Sequence, residues 1–212
     1  MATVEYMGKA FEVDEDGFIG NYEDGKCEEW IQYVKAQEGI DELWDQTKSM
    51  YNPTQEVDPS KFTKQIAFNV IPHIDVFLDN RYTKEEMKMV WETRKILGDN
   101  DILVNPTAVR IPVFYGHSEA VHIETREKIT AERVVELLRK APGIEVLDGV
   151  ETGQYPTAVT ESSGADPVFV GRIREDISHP RGIDLWIVAD NIRKGAALNS
   201  VQIAEKLAKN YL

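Results

Sequence analysis

Residues 107–114 constrain the fold more than any other stretch, because their side chains alternate with a period of two. One face takes Thr107, Val109, Ile111 and Val113, and the other takes Ala108, Arg110, Pro112 and Phe114. Such alternation predicts a β-strand with one face in a core. Pro112 removes a backbone donor, so the strand is expected to lie at a sheet edge or to end there. Arg110 would then project from the second face of a rigid element.

Gly116 is expected to end this strand, and His117 and Ser118 follow at the turn. A guanidinium and an imidazole would then lie seven residues apart near one strand end. Such a pair can clamp a carboxylate and move a proton beside it. Spacing alone favours the alternative, a surface arginine and an unrelated loop histidine.

Composition and charge exclude several classes of protein. The 212 residues are 42% hydrophobic and 29% charged, and the formal net charge is −13. This charge argues against binding to nucleic acid or to an anionic membrane. The apolar runs are too short for a membrane span, and no secretory signal is recognisable at Met1. The single cysteine, Cys27, excludes an internal disulfide and fits the cytoplasm.

The acidic charge is concentrated at the start of the chain. The first 50 residues hold 13 acidic and 4 basic residues, a net charge of −9, whereas the other 162 residues carry −4. This shift indicates a different origin or role for the first quarter.

The first part of the chain predicts a hairpin, two helices and a buried strand. The hairpin pairs residues 3–7 with 10–13. A helix over 27–38 is expected to end at Gly39, and a second helix covers 41–51. The continuous apolar run 66–71 predicts a buried strand that ends at Pro72.

The rest of the chain mixes helices and strands. Thr83 and Glu86 form a capping box that opens a helix to Leu97, which stops at Gly98. Thr130 caps a helix to Lys140. Further elements are strands at 119–125, 144–147, 167–174 and 183–189, and a closing helix over 195–207. This order predicts an α+β fold with a mixed, mostly antiparallel sheet covered by helices.

Two groups of residues outside the 107–119 stretch could carry chemistry. Glu85 and Lys88 share one helix face, either as a solvated ion pair or as a charged pair that orients a substrate or an anion. Residues 190–197, Asp-Asn-Ile-Arg-Lys-Gly-Ala-Ala, link a strand to a helix. Their small residues favour either close approach to an anion or carboxamide, or tight helix packing.

Other sites are not expected from the sequence. A thiol near a helix N-terminus has a lowered pKa, but the acidic neighbours of Cys27 oppose its thiolate, so we expect a passive thiol. No Gly-x-Gly-x-x-Gly follows a strand. His73, His122 and His179 have no second ligand at metal spacing, so no metal site is expected.

Six segments occur in an order typical of one enzyme family. They are Gln-Ile-Ala-Phe-Asn-Val-Ile-Pro-His-Ile-Asp (65–75), Tyr-Thr-Lys-Glu-Glu-Met-Lys-Met (82–89), Thr-Arg-Lys-Ile-Leu-Gly (93–98), Val-Arg-Ile-Pro-Val-Phe-Tyr-Gly-His-Ser-Glu-Ala-Val (109–121), Asp-Pro-Val-Phe-Val-Gly-Arg-Ile-Arg-Glu-Asp (166–176) and Ala-Asp-Asn-Ile-Arg-Lys-Gly-Ala-Ala-Leu-Asn (189–199). Through these segments, residues 39–212 resemble the C-terminal catalytic and dimerisation domain of bacterial aspartate-β-semialdehyde dehydrogenase.

The resemblance implies a glyceraldehyde-3-phosphate-dehydrogenase-like C-terminal domain that forms a homodimer. The family interconverts aspartyl phosphate and aspartate semialdehyde with NADP, for lysine, methionine and threonine synthesis. By resemblance, Arg110 binds the substrate carboxylate and His117 is the catalytic acid and base. Glu85 would contact the substrate amine, Lys88 the phosphate, and Asn191 the nicotinamide region.

The family's N-terminal Rossmann domain and its Asn-Cys-Ser/Thr nucleophile stretch have no counterpart in this sequence. Thiohemiacetal formation needs that thiolate. The expectation is a domain that dimerises and keeps half a site but is inactive alone. We expect no bound dinucleotide, and a phosphate or sulfate at Arg110 and Lys88 is compatible with this expectation.

Residues 1–40 resemble a different family. The run Met-Ala-Thr-Val-Glu-Tyr-Met-Gly-Lys-Ala-Phe-Glu-Val-Asp-Glu-Asp-Gly-Phe, followed by Cys-Glu-Glu-Trp-Ile-Gln-Tyr-Val-Lys, is similar to the start of the dissimilatory sulfite reductase gamma subunit and its sulfur-relay relatives. Cys27 does not match the reactive C-terminal cysteines of that family. The resemblances therefore predict a chimera, with its switch near residues 38–40.

Two alternatives stay open. In the first, Cys27 or a second protein supplies the nucleophile, and the enzyme is active or completed by a partner. In the second, the acidic N-terminal segment docks another protein and the chain is a binding module.

Overall fold

The structure is a computed structural model that describes the backbone of residues 2–6, 9–13, 28–52, 57 and 59–211. Side chains are described from residue 38 onward within these ranges. The chain divides into two compact units, residues 1–112 and 113–212, which are described separately.

The first unit begins with an antiparallel hairpin, as the sequence predicted. Strand β1 is Ala2–Tyr6 and strand β2 is Lys9–Val13, with Ala2 opposite Val13. Helix α1 is Glu28–Met50 and helix α2 is Lys84–Leu97. The predicted start and end of α2 are confirmed, since Thr83 caps it and Gly98 follows it in the left-handed conformation.

The prediction that Gly39 separates two helices is wrong. Helix α1 runs through it without a break. A Cβ at Gly39 would lie 3.3 Å from the Phe62 ring, so glycine lets that ring pack close to the helix. Glycine inside a helix costs about 1 kcal/mol relative to alanine, which packing outweighs here.

The predicted buried strand at 66–71 is also absent. Ile66, Ala67 and Ile71 are buried with Leu43 of α1, but Phe68 has a positive φ of 56° and is exposed. The N–H groups of Ile66 and Ala67 donate to the Gln46 side-chain oxygen at 2.8 and 3.1 Å. A side chain of α1 therefore takes the backbone bonds that a sheet partner would otherwise have supplied.

Residues 107–114 likewise form no strand, which corrects the prediction for this stretch. One isolated antiparallel bridge pairs Ile71 with Arg110. Ala108 is 8% exposed and Val109 is 42% exposed, the reverse of the predicted faces. The Ala108 N–H donates to the Glu86 carboxylate, so long-range side-chain bonding and not a ladder sets which residues face inward.

The second unit is a four-stranded sheet of mixed direction, as the sequence predicted. Its strands are β3 His117–Glu124, β4 Ile144–Val146, β5 Val168–Glu175 and β6 Gly182–Ala189. The spatial order is β3-β6-β5-β4. The pairs β3–β6 and β5–β6 are antiparallel, and β4–β5 is parallel.

One helix covers one face of this sheet. Helix α3, Ala131–Leu138, begins at Thr130, whose hydroxyl accepts from the Arg133 N–H. Its apolar side packs on a cluster of four buried strand residues, Val170, Ile173, Ile183 and Leu185. Burial of this apolar area is the main favourable term for the unit.

The chain after β6 differs from the predicted helix over 195–207. A π-helical turn occupies Arg193–Ala197, and helix α4 follows at Leu198–Tyr211. The Gly195 N–H donates to the carbonyl of Asp190, five residues earlier, at 3.1 Å. No helix among the described residues is long and apolar enough to span a membrane.

Candidate functional site

The N-terminus of α2 is fixed by a reciprocal pair of hydrogen bonds. The Glu86 N–H donates to the Thr83 hydroxyl at 3.3 Å, and the Thr83 N–H donates to the Glu86 carboxylate at 2.8 Å. This capping box was predicted from the sequence and is confirmed. It holds the first helical turn, which carries Glu85 and Lys88, in one position.

Glu85 and Lys88 form an ion pair on this turn. The Lys88 ammonium lies 3.1 Å from a carboxylate oxygen of Glu85, and both side chains are partly exposed. The hydrogen bond that the Lys88 ammonium donates to Glu85 raises the pKa of Lys88, burial opposes this, and the charges of Glu85, Glu92 and Asp75 add to the rise. Lys88 is therefore positively charged at neutral pH, and the pair presents one charge of each sign.

Glu86 positions the residues of the candidate site through two sets of hydrogen bonds, and the sequence predicted only one of them. Its second carboxylate oxygen accepts from the Ala108 N–H at 2.9 Å. Burial opposes its ionisation, but the N–H groups of Thr83 and Ala108 outweigh this and lower the pKa of Glu86. The carboxylate thus ties the segment before Arg110 to α2. The capping box pointed to the first bond, but the long-range bond to Ala108 had no sequence signal.

Arg110 is held by its backbone and leaves its guanidinium exposed. Its N–H donates to the Ile71 carbonyl at 2.8 Å, and its own carbonyl accepts from Ile71 at 3.0 Å. The guanidinium carbon lies 5.6 Å from the centroid of the Phe62 ring, within cation–π range. Among the described residues no carboxylate pairs with this guanidinium. Its donors are therefore available to an anion.

His117 belongs to the second unit, where it is the first residue of β3 and lies opposite Ala189. Its side chain is exposed. Gly116 precedes it with a φ of 88°, and a Cβ there would meet Ala158 and Ser162 at 3.0 Å. The strand that was expected to carry Arg110 and to end just before His117 is absent, and the two residues belong to separate units.

Asn191 and His117 are brought close through one hydrogen bond. The Gly116 N–H donates to the Asn191 side-chain oxygen at 2.9 Å. Asp190 fixes the loop that carries Asn191. Its carboxylate accepts hydrogen bonds from the N–H groups of Gly164, Ile192 and Arg193, each at 2.8 Å. Asp190 is 5% exposed, so this loop is rigidly held.

The cations of this loop are engaged internally. The Lys194 ammonium donates to Gln202 at 2.7 Å, and the Arg193 guanidinium donates to Asp166 at 2.6 Å. Asn191 uses its oxygen for Gly116, which leaves its amide nitrogen to donate elsewhere. Between the two ligand types that the sequence left open, the loop is better suited to a carboxamide than to an anion.

The described residues contain no candidate metal site. Among the residues that the structure describes, no group of three or more His, Cys, Asp or Glu could hold a metal ion. Cys27 lies outside the described residues.

Comparison with known proteins gives a consistent family. Residues 36–194 match the family described as "Semialdehyde dehydrogenase, dimerisation domain". An aspartate-semialdehyde dehydrogenase of Shewanella sp. (strain DB6705) is 66% identical over 155 residues, which cover 73% of this chain and 45% of that protein.

Solved structures agree with the sequence comparison. The aspartate semialdehyde dehydrogenase II of Vibrio cholerae, complexed with ASA, superimposes with a TM-score of 0.79 at 57% identity, covering 83% of this chain and 51% of that one. The Candida albicans aspartate semialdehyde dehydrogenase with NADP gives a TM-score of 0.52 at 28% identity, covering 70% and 47%. The chain thus spans about half the length of the relatives it matches. Since the family match covers most of its residues, the chain belongs to the semialdehyde dehydrogenase dimerisation-domain family.

Proposed function

We propose that this chain supplies the dimerisation surface and the substrate-binding half of an aspartate-semialdehyde dehydrogenase site in the cytoplasm. The observation that carries the proposal is the placement of Arg110. Its backbone is paired with Ile71 on one side and tied to α2 through Ala108 and Glu86 on the other. A guanidinium held in this way, with no carboxylate partner among the described residues, is suited to a carboxylate substrate.

In this proposal Arg110 binds the substrate carboxylate. A guanidinium offers two parallel N–H donors that match the two oxygens of a carboxylate. The Phe62 ring beneath the guanidinium restrains its rotation, which lowers the entropy lost on binding.

Glu85 and Lys88 act on the two other charged groups of the substrate. The Glu85 carboxylate attracts the substrate amine, and the Lys88 ammonium attracts the phosphoryl group or inorganic phosphate. The ion pair between them keeps both side chains extended on the same helical face before a ligand arrives. An ammonium whose pKa is raised stays charged throughout the pH range of such an enzyme.

His117 is proposed as the acid and base, and Asn191 as a contact to the cofactor amide. The exposed imidazole at the start of β3 can accept or donate a proton. The free amide nitrogen of Asn191 fits the oxygen of a carboxamide such as that of nicotinamide. NADP, when bound, accepts or supplies the hydride of the reaction.

The leading proposal and its alternative differ in whether a nucleophilic thiolate is present. The family reaction needs a thiolate, and the 212 residues contain only Cys27. We propose that the 212-residue polypeptide binds its substrate without turning it over. The alternative is an enzyme in which Cys27 or a partner protein provides the thiolate.

Arg110→Gln is expected to weaken binding of aspartate semialdehyde by about 10- to 100-fold, since charged hydrogen bonds contribute about 1.5–3 kcal/mol. Calorimetric titration of the full chain measures this. Arg139→Gln, a matched change at the end of α3, should leave the affinity unchanged. Equal affinity in the Arg110 variant, or no binding by the unaltered chain, would contradict the substrate-binding role.

Phosphate-dependent reduction of NADP with aspartate semialdehyde is expected to be absent in the purified 212-residue chain. The reason is that its one thiol is not at a family nucleophile position. The absorbance of NADPH measures turnover, and the Cys27→Ser variant is assayed in parallel. Turnover that disappears in the Cys27 variant would establish the alternative in place of the inactive half-site.

We further propose that residues 1–40 are of separate origin and cover apolar surface of the domain. The start of the family match at residue 36 and the net charge of −9 in the first 50 residues support this. Deletion of residues 1–38 should lower the melting temperature and the solubility. An equally soluble chain with the same melting temperature would argue against a covering role.

A further inference from the structure

The second unit carries a groove whose residues the proposed reaction does not use. It has a volume of about 250 Å³ and is lined by Tyr155, Pro156, Thr157, Arg172 and Trp186. Its lining is largely apolar and includes one cation. A cavity of this size is below the range usual for drug-sized ligands and suits a smaller molecule.

The wall of the groove is held against the sheet. The Trp186 indole N–H donates to the Pro156 carbonyl at 3.0 Å, and Pro156 is fully buried. A Cβ at Gly171 would lie 2.6 Å from the Pro156 ring and 2.2 Å from the Leu147 carbonyl oxygen. The segment before Thr157 therefore rests directly on the backbone of β5, which fixes the shape of the groove.

Arg172 enters the groove because β5 bulges at this point. Gly171 lies opposite Trp186 and Arg174 lies opposite Asp184, so β5 has one residue more than β6 between the same pairs. Arg172 has a positive φ of 54°, a conformation that side-chain-bearing residues seldom adopt. Bulges re-aim side chains and occur often beside functional sites.

The bulge is stabilised on both sides of Arg172. The Ile173 N–H donates to the Asp148 carboxylate at 3.0 Å, and the Ile173 side chain is buried in the sheet core. The Arg172 carbonyl accepts from the Arg174 guanidinium at 2.8 Å. These contacts hold the backbone of Arg172 in its unusual conformation, independently of what its guanidinium binds.

Two polar groups of the groove have no protein partner among the described residues: the Arg172 guanidinium and the Tyr155 hydroxyl. The Thr157 hydroxyl is used at a helical turn, bonding Thr160 at 2.6 Å, and the Thr157 N–H bonds the Glu161 carboxylate at 2.6 Å. This carboxylate beside the groove disfavours a doubly charged phosphate more than a singly charged carboxylate.

We propose that this groove binds a small carboxylate carried on a planar, apolar body. The Arg172 guanidinium binds both carboxylate oxygens, the Tyr155 hydroxyl donates to one of them, and the body lies along Trp186 and Pro156. None of the residues that line the groove is one to which the proposed function gives a role.

The test is a titration of the full chain with benzoate, followed by ¹H–¹⁵N spectra at the Trp186 indole and the Arg172 amide. Arg172→Asn removes the cation and tolerates a positive φ. It should weaken benzoate binding by about tenfold or more, and benzamide, the neutral analogue, should bind the unaltered chain similarly weakly. Arg139→Asn serves as the matched control and should bind benzoate normally.

Arg172→Gly is the second variant, since glycine adopts the positive φ freely and keeps the bulge folded. It should show the same loss of benzoate binding with an unchanged melting temperature or a higher one. Full affinity in either Arg172 variant overturns the proposal, as does the absence of saturable binding by the unaltered chain. If inorganic phosphate binds as tightly as benzoate, the proposed contact of the ligand body with Trp186 and Pro156 is wrong.

Discussion

Glu86→Ala is expected to lower the free energy of unfolding of the first unit by about 2–6 kcal/mol, because two buried N–H groups lose their acceptor and each loss costs about 1–3 kcal/mol. The Glu86 side chain is 8% exposed, so water does not readily replace it. The lost bonds are those from Thr83 and Ala108. The substitution removes the link between α2 and Arg110, so substrate affinity should fall with stability.

Urea unfolding at neutral pH, followed by the fluorescence of Trp44 and Trp91 in the first unit, measures the effect. Glu85→Ala is the matched control, one residue away on the same helix. Its carboxylate is partly exposed and pairs with Lys88, and such pairs contribute about 0.2–1 kcal/mol. Similar losses in the two variants would contradict the bridging role of Glu86.

The pH dependence gives a second check on the same residue. The folded-state pKa of Glu86 lies below its ordinary value of 4.5. A carboxyl group whose pKa is lowered stabilises the fold above its unfolded pKa, and this contribution is lost as pH falls through the folded pKa. The difference between the unaltered chain and Glu86→Ala should therefore be full above about pH 4.5 and shrink below it. A difference that grows on acidification would contradict an ionised Glu86.

Gly171→Ala is expected to destabilise the second unit by about 3 kcal/mol or more, since overpacking typically costs about 1–3 kcal/mol and here meets backbone. The added Cβ would lie 2.2 Å from the Leu147 carbonyl oxygen. That carbonyl belongs to a residue whose N–H bonds Val170 at 2.9 Å, so it cannot move without disturbing the pairing of β4 and β5. The Pro156 ring, at 2.6 Å, is buried and also has little room.

Thermal unfolding followed by the fluorescence of Trp186 measures this change. Gly195→Ala is the control, because a Cβ there has its nearest neighbour at 3.6 Å, an ordinary contact, and the φ of Gly195 is not in the left-handed region. It should change stability by less than about 1 kcal/mol. A Gly171 variant as stable as the Gly195 variant would mean that the bulge can relax around the new methyl group.

The sequence correctly predicted the helices and strands that are marked by capping residues or by runs of β-branched residues. Thr83, Glu86 and Gly98 defined α2 to the residue, and Thr130 marked the start of α3. The β5 and β6 runs were rich enough in Val and Ile to be recognised as strands. The mixed, mostly antiparallel sheet followed from the irregular order of helices and strands.

The same kind of pattern failed where backbone groups bond to distant side chains. The runs 66–71 and 107–114 have the composition of strands. Their backbone N–H groups donate instead to the side chains of Gln46 and Glu86, and one isolated bridge joins the two runs. Gly39 predicted a helix end because glycine is a poor helix former. The Phe62 ring that packs on it comes from 23 residues further along the chain.

For the candidate site, the sequence identified the family. The segments around Arg110, His117, Glu85, Lys88 and Asn191 were sufficient for the resemblance, and the family membership is confirmed. Their catalytic and binding roles stay predictions that the experiments above test.

The positions of the candidate-site residues and of Arg172 depend on tertiary contacts. Glu86 fixes the segment of Arg110, Asp190 fixes the loop of Asn191, and a bulge turns Arg172 into a groove. Glu86 and Ala108 are 22 positions apart, Asp190 and Gly164 are 26 apart, and the bulge is held by a bond between Ile173 and Asp148, 25 apart. The side-chain period and the capping motifs are local and therefore readable from the sequence. Partners at that separation are chosen only when the chain folds, because burial leaves each backbone donor to bond whichever acceptor lies nearest.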